Sequence, residues 1–203
     1  FYEFIPMDQF DRNNLQAIPL GEVELGKNYA VVISTNGGLW RYLIGDTVRF
    51  TSLAPHRIQI SGRTKHYINA FGEELMIDNV ETALKKACDA TNAHITDYTG
   101  APVFMKEGKS GAHEWLIEFT QNPDSLEVFS KVFDDSLKSI NSDYEAKRYL
   151  NMTLNPPIIH TAKPQLFYRW LESRGKLGGQ NKVPRLCNDR EHLEPLLQLN
   201  QNS

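Results

Sequence analysis

Short runs of alternating apolar and polar residues fill the first third of the chain, and helical spacing takes over beyond it. Tyr29-Ala30-Val31-Val32-Ile33 is β-branched and aromatic, which predicts a strand over 28–34. Asn36-Gly37-Gly38 marks a turn, because glycine takes positive φ without a Cβ clash. Residues 39–44 return as the next strand. Gly45-Asp46 is expected to break it and Thr47-Val48-Arg49-Phe50 to resume it. Arg57-Ile58-Gln59-Ile60 adds one more alternating strand. The opening Phe1-Tyr2-Glu3-Phe4-Ile5-Pro6 also alternates and reads as a strand already under way, as in a fragment of a longer protein. The first third is therefore expected to consist of hairpins, without a helix of its own.

The period changes after Ser61-Gly62-Arg63-Thr64-Lys65. Tyr67-Ile68-Asn69 predicts a brief strand and Phe71-Gly72-Glu73-Glu74 a turn. Val80, Leu84, Ala87 and Cys88 share one helical face, and Asp78 with Glu81 three residues on has the form of a capping box, so a helix is expected from 78. Strands are expected over 95–98, 103–106 and 115–119. An amphipathic helix is expected over 124–140, with Leu126, Phe129, Val132, Phe133 and Leu137 on one face, and a shorter helix over 144–150. Pro156-Pro157 stops any helix, and Ile158-Ile159-His160 reads as a strand. Residues 164–173 read as a helix with Pro at its start, 175–182 as a glycine-rich loop, and 190–199 as the last helix. The fold class is α+β: a β-rich segment over 1–62, a hinge at 63–66, and a smaller, sandwich-like α/β domain over 67–203.

A length of 203 residues is enough to bury a core in one large or two small domains. The formal net charge of −3 is spread over interspersed acids and bases, with no Lys/Arg block, so nucleic acid is not an expected partner. No apolar run approaches the ~20 residues of a membrane span, and no charged-then-apolar leader is visible, so the expected compartment is the cytoplasm. Cys88 and Cys187 are too few for a disulfide framework, and Cys88 reads as a small core residue. The six histidines show no metal-ligand spacing, so no metal site is expected.

Three short segments carry candidate chemistry. In Tyr42-Leu43-Ile44-Gly45-Asp46 a carboxylate follows a strand and a glycine, where it can accept hydrogen bonds from the vicinal hydroxyls of a ribose; the alternative is a plain turn. In Gly62-Arg63-Thr64-Lys65, followed by Gly72-Glu73-Glu74, the planar fork of Arg63 suits a nucleotide and the glycine suits a hinge; the alternative is a solvated loop arginine. In Gly178-Gly179-Gln180-Asn181-Lys182-Val183-Pro184-Arg185 a lysine on a glycine loop can swing in to neutralise charge growing on phosphate or carboxylate oxygens; the alternative is an exposed basic loop. No GxxxxGK[ST] string is present, so this is not a phosphate-binding P-loop.

Together and in this order, the three segments resemble the adenylate-forming superfamily of acyl-CoA synthetases, peptide-synthetase adenylation domains and luciferases. The chain is most similar to the auxin-responsive Gretchen Hagen family of acyl-acid amido synthetases. The likeness lies in Tyr2-Glu3-Phe4-Ile5-Pro6, in Gly38-Leu39-Trp40-Arg41-Tyr42 leading to Gly45-Asp46, and in Gln180-x-Lys182-x-Pro184-Arg185. It covers nearly the whole chain, and the stretch from Tyr67 to Glu74 resembles the bacterial branch rather than the plant members. The resemblance implies that 1–62 ends a large adenylation domain and that 67–203 is a lid turning about Arg63, Thr64 and Lys65. It implies that Asp46 holds the ribose hydroxyls of ATP, Arg63 assists at ribose or phosphate, Tyr42 lines the nucleotide side, and Lys182 is the catalytic cation at the α-phosphate. ATP and Mg2+ would be the cofactors, and a carboxylic acid and an amine or amino acid the substrates. The partner would be the missing N-terminal adenylation domain, because the family's phosphate loop and magnesium-associated glutamate have no counterpart in this sequence. The fragment alone is then expected to be inactive. A ligase forming coenzyme A thioesters and a non-catalytic nucleotide-binding or regulatory module are the alternatives.

Overall fold

The unbroken apolar run Tyr29-Ala30-Val31-Val32-Ile33 lets a sheet be buried on both faces. In the computed structural model, which describes residues 1–10, 15–64, 67–106, 109–176 and 182–202 (the side chain of 202 excepted), the chain forms two compact units. The first is 1–67 with 76–78, and the second is 68–75 with 79–203.

The first unit is an antiparallel sheet of β1 (Tyr2–Pro6), β2 (Ile18–Pro19), β3 (Asn28–Ile33), β4 (Tyr42–Leu53) and β5 (His56–Arg63) in the order β2-β1-β3-β4-β5. Phe4, Val23, Tyr29, Val31, Val48 and Phe50 pack on one face, and Ile5, Met7, Ala30 and Val32 on the other. Phe4 and Tyr29 meet Phe50 edge to face at 5.1 and 5.8 Å, a geometry that favours aromatic pairs.

Two expectations for this unit are corrected. The return strand begins at Tyr42 rather than Leu39, because Arg41 sits in the left-handed region at φ 44°. Gly45-Asp46 does not break that strand either. Register runs from Val32↔Leu43 to Ala30↔Thr47, so two steps on β3 are matched by four on β4, and the excess is absorbed as a bulge. Gly45, at φ 89°, supplies the conformation that the bulge requires.

Two short strands, β6 (Tyr67–Ile68) and β7 (Leu75–Met76), pair with each other. The second unit then continues with α1 (Ile77–Thr91), β8 (His94–Val103), β9 (Ala112–Gln121), α2 (Leu126–Ile140), α3 (Ser142–Arg148), β10 (Ile158–Ala162), α4 (Leu166–Ser173) and α5 (Leu193–Asn202). Its sheet runs β10-β9-β8, with β9 antiparallel to β8 and parallel to β10. Successive residues of β9 point to opposite faces. Trp115 meets Phe133 of α2 at 5.2 Å, while Leu116 joins Leu166, Phe167 and Trp170 of α4 and Leu193 and Leu196 of α5. Helices therefore cover both faces of this small sheet, and with the first unit the fold is α+β.

Here too some boundaries differ from expectation. Helix α1 starts at Ile77, so Asp78 lies within its first turn, where a carboxylate suits the positive helix end, instead of preceding it as a cap. Cys88 is only half-buried, and Ala83 and Ala87 fill the core stripe. Residues 103–106 make no strand of their own: β8 runs to Val103, and Lys106 makes only an isolated bridge to Lys109. Helix α4 starts at Leu166, because Gln165 is left-handed at φ 59° and donates its N–H to Glu118 Oε1 at 2.7 Å. The start of α2 follows its cap: Ser125 Oγ accepts from Val128 N at 3.3 Å.

Candidate functional site

The bulge of β4 presents the first candidate residues. Past Gly45, Asp46 lies directly across from Arg63 of β5, and Arg63 Nε donates to Asp46 Oδ1 at 3.1 Å. Both side chains are substantially exposed, Arg63 at 64% and Asp46 at 39%. Thr64 closes the bulge from behind: its N–H donates to the Gly45 carbonyl at 2.9 Å and its hydroxyl to the same oxygen at 3.4 Å. Beneath them Thr47 and Ser61 are buried, and Ser61 Oγ donates to Thr47 Oγ1 at 3.2 Å. A carboxylate and a guanidinium thus stand side by side on a firm backbone, open to solvent. Tyr42 is four residues earlier on the same strand and is half-exposed. Its neighbour Trp40 is 83% exposed. Lys65 and Gln180 lie outside the described residues.

Lys182 belongs to the second unit. It is exposed and stands at the head of a segment laid along β8. Val183 plugs into the core with Ala101 and Leu116. The Pro184 carbonyl accepts from Thr99 Oγ1 at 2.8 Å and the Arg185 carbonyl from Gly100 N at 2.9 Å, while Cys187 N donates to the Gly100 carbonyl at 3.1 Å. The lysine is therefore carried on an anchored base. Close approach of this segment and of Trp115 explains Gly100, where a Cβ would lie 2.4 Å from the indole.

The surroundings of Lys182 were only partly legible in the sequence. Arg185 was visible as part of the late string, but its partners were not. Its guanidinium pairs with Glu81 of α1 and lies 5.1 Å over the ring of Tyr98. Asp97 also sits in this field. Burial raises its carboxyl above the usual range, against lowering by the Tyr98 N–H at 2.9 Å and by the charges of Arg185 and Lys182. Burial likewise pushes the Tyr98 hydroxyl well up. Glu73, in the Gly72-Glu73-Glu74 turn, is a core residue: Oε1 meets His113 Nε2 at 2.8 Å and Oε2 accepts from Phe71 N at 2.7 Å. Burial favours the neutral acid there, but these hydrogen bonds and the His113 charge outweigh it and hold the carboxyl below its ordinary value. That turn is structural, tied down by Asn141 Nδ2 donating to the Glu73 and Glu74 carbonyls.

Among the described residues no three His, Cys, Asp or Glu side chains gather to hold a metal ion, and no helix is long and apolar enough to cross a membrane. Residues 1–63 match the model of the GH3 family central domain, and residues 78–191 match that of the GH3 family C-terminal domain. The chain is 25% identical over 199 residues to an indole-3-acetic acid-amido synthetase, GH3.3, of Arabidopsis thaliana, covering 91% of this chain and 33% of that protein. It is 24% identical over 216 residues to a 4-substituted benzoates-glutamate ligase, GH3.12, of the same plant, covering 97% and 36%. Its fold is that of the GH3.15 acyl acid amido synthetase, with a TM-score of 0.68 at 20% identity, over all of this chain and 36% of that one. The chain thus spans about a third of the length of the curated relatives it matches.

Proposed function

The chain belongs to the GH3 family, and from that premise we propose that it forms the central and C-terminal part of an ATP-dependent acyl-acid amido synthetase. The observation that carries this reading is the pairing of an accessible carboxylate, Asp46, with the fork of Arg63 on one bulged hairpin, inside the matched central domain. This donor set fits a nucleotide: the carboxylate accepts from two ribose hydroxyls, and the guanidinium donates to ribose or phosphate oxygens. Tyr42 would line the same side. Mg2+ would be held by residues outside this chain.

The chemistry has two steps. A carboxylate oxygen of the acid attacks the α-phosphorus of ATP, the bond to the bridging oxygen breaks, and pyrophosphate leaves. An amine or amino acid then attacks the acyl carbon of the mixed anhydride, loses a proton, and expels AMP. In the first step negative charge grows on the α-phosphate, and Lys182 would place its ammonium there, an interaction that is stronger in the transition state than before it. Residues 63–66 would serve as the hinge about which the part bearing Lys182 turns between the steps.

The test is carboxylate-dependent exchange of pyrophosphate into ATP, run on the full-length protein with a panel of acids, alongside amines and coenzyme A as acceptors for the second step. Lys182→Ala is expected to lower exchange about 10²-fold, with a smaller loss of amide formation from supplied acyl-adenylate. Equal losses in both half-reactions would remove Lys182 from this role.

A further inference from the structure

Past α3 the second unit turns three large apolar side chains outward. Tyr149, Leu150 and Met152 are 68, 75 and 73% exposed. They do not sit on a slack loop. Leu150 at φ 50° and Asn151 at φ 57° are consecutive non-glycine residues in the left-handed region, a conformation that persists only where the surroundings enforce it. Two side chains do so here. Arg148, buried and bonded to Asp134 through Nε and NH2, donates from NH1 to Asn151 Oδ1. Ser110 Oγ reaches the Asn151 and Met152 carbonyls at 2.9 and 3.0 Å. The chain then runs along the start of β9: Gly111 N donates to the Thr153 carbonyl at 2.9 Å, and Asn155 N to the Gly111 carbonyl at 2.8 Å. Val103 pairs with Ala112, and just beyond it stand Phe104 and Met105, each about half exposed. Five large apolar side chains thus share one end of the unit.

Backbone strain that displays apolar surface points to a contact, because nothing in the unit itself gains from it while the surface stays wet. The location says with what. The same end carries the turn of residues 69–74, by which the chain enters the unit. The Phe71 ring lies over Gly111, where a Cβ would meet it at 2.4 Å, and Lys147, two residues before Tyr149, reaches Gly72. A partner joined by a short tether acts at an effective concentration of about millimolar, so surface beside the tether is covered by what the tether leads to. The chain spans only 33 and 36% of the two curated relatives named above, and it matches the central and C-terminal domains of the family, so the remainder precedes Phe1. We propose that this end of the second unit, with Leu150 the most exposed of its side chains, is a docking face for the part of the full-length protein that precedes Phe1. The inference rests on the reading of the chain as the later part of a longer synthetase.

Hydroxyl-radical footprinting of the full-length protein, read by peptide mass spectrometry, tests this, since tyrosine and methionine react fast when wet. Each residue is compared with its own rate in the unfolded protein, with and without ATP. Tyr149 and Met152 are expected to be protected about fivefold or more in at least one of these states, as in the dry centre of an interface. Leu150→Gly separates contact from architecture. Glycine takes the left-handed conformation without strain, so this variant should still fold, yet lose most of the protection at Tyr149 and Met152. Leu150→Asp, which puts a charge on the exposed tip, should lose it as well and serves as the second variant. Rates close to those of the unfolded protein at both residues in both states overturn the proposal. So does protection that neither variant relieves. Protection that disappears on dilution, with the mass by light scattering halved, would make a second copy the occupant and overturns it too. Face and activity fail separately: protection without pyrophosphate exchange keeps the face and removes the enzyme reading, and exchange without protection does the reverse.

Discussion

Single residues carry either a proposed role at the nucleotide or a place in the architecture, and exposure separates the two. The Asp46–Arg63 pair lies on the surface, where an ion pair contributes about 0–1 kcal/mol to stability. Asp46→Ala should therefore leave the melting temperature nearly unchanged while weakening ATP binding to the full-length protein about tenfold or more. Calorimetric titration with ATP checks this, and an unaltered affinity would take the ribose away from Asp46. Gly100 is the opposite case. A methyl group there would meet the Trp115 ring at 2.4 Å, far inside contact distance. Gly100→Ala should destabilise the second unit by about 1–3 kcal/mol through overpacking, read as a lowered urea midpoint. The same change displaces the segment that follows Lys182, because Gly100 bonds to Arg185 and Cys187.

At the level of elements, the joint between α2 and α3 depends on one carboxylate. Asp134 accepts from Arg148 Nε and NH2, both at 2.8 Å, from Tyr144 OH at 2.8 Å, and from Lys138 at 2.9 Å. Burial favours its neutral form, but the hydrogen bonds from Arg148, Lys138 and Tyr144 outweigh that, and its pKa is lowered. Arg148 also donates to the Leu154 carbonyl at 2.8 Å, tying the chain beyond α3 to the same centre. Removing the carboxylate leaves the buried Arg148 guanidinium without its counter-charge, so Asp134→Ala should cost about 3–5 kcal/mol. Replacing both partners should cost less than the sum of the single changes. A double-mutant cycle in urea measures the difference, and strict additivity would show that the pair does not act as a unit.

The molecule as a whole should respond to acid unevenly. Four carboxyls of the second unit, Glu73, Glu114, Asp134 and Asp135, are held below their ordinary values. A folded pKa below the unfolded one contributes stability that is present above the unfolded value and lost as pH falls through the folded value. The second unit should therefore weaken as pH drops below about 4, the ordinary carboxylate range. Asp97, raised by burial, works in the opposite direction and offsets part of the loss. Tryptophan fluorescence separates the units, since Trp115 and Trp170 are buried in the second while Trp40 of the first is exposed. An acid transition in the red-shifting emission is expected before the sheet of the first unit melts. Simultaneous loss of both would contradict it.

The linear order of residues was enough to specify the α+β class, nearly every helix and strand, and the family. These rest on local periodicity and on short strings such as Gly45-Asp46 and Lys182-x-Pro184-Arg185, which are properties of neighbours in the chain. Element ends were less legible. Glu118 delays α4 by accepting the Gln165 N–H from 47 residues away, and the bulge that keeps β4 continuous through Gly45 depends on register with β3. The partners of the candidate residues were not legible at all. Arg63 meets Asp46 through strand pairing, Glu73 meets His113 inside a core, and Arg185 meets Glu81 and Tyr98 across 104 and 87 positions of sequence. Which charge neutralises which is decided by distance in space and by exclusion of water, and folding alone sets both.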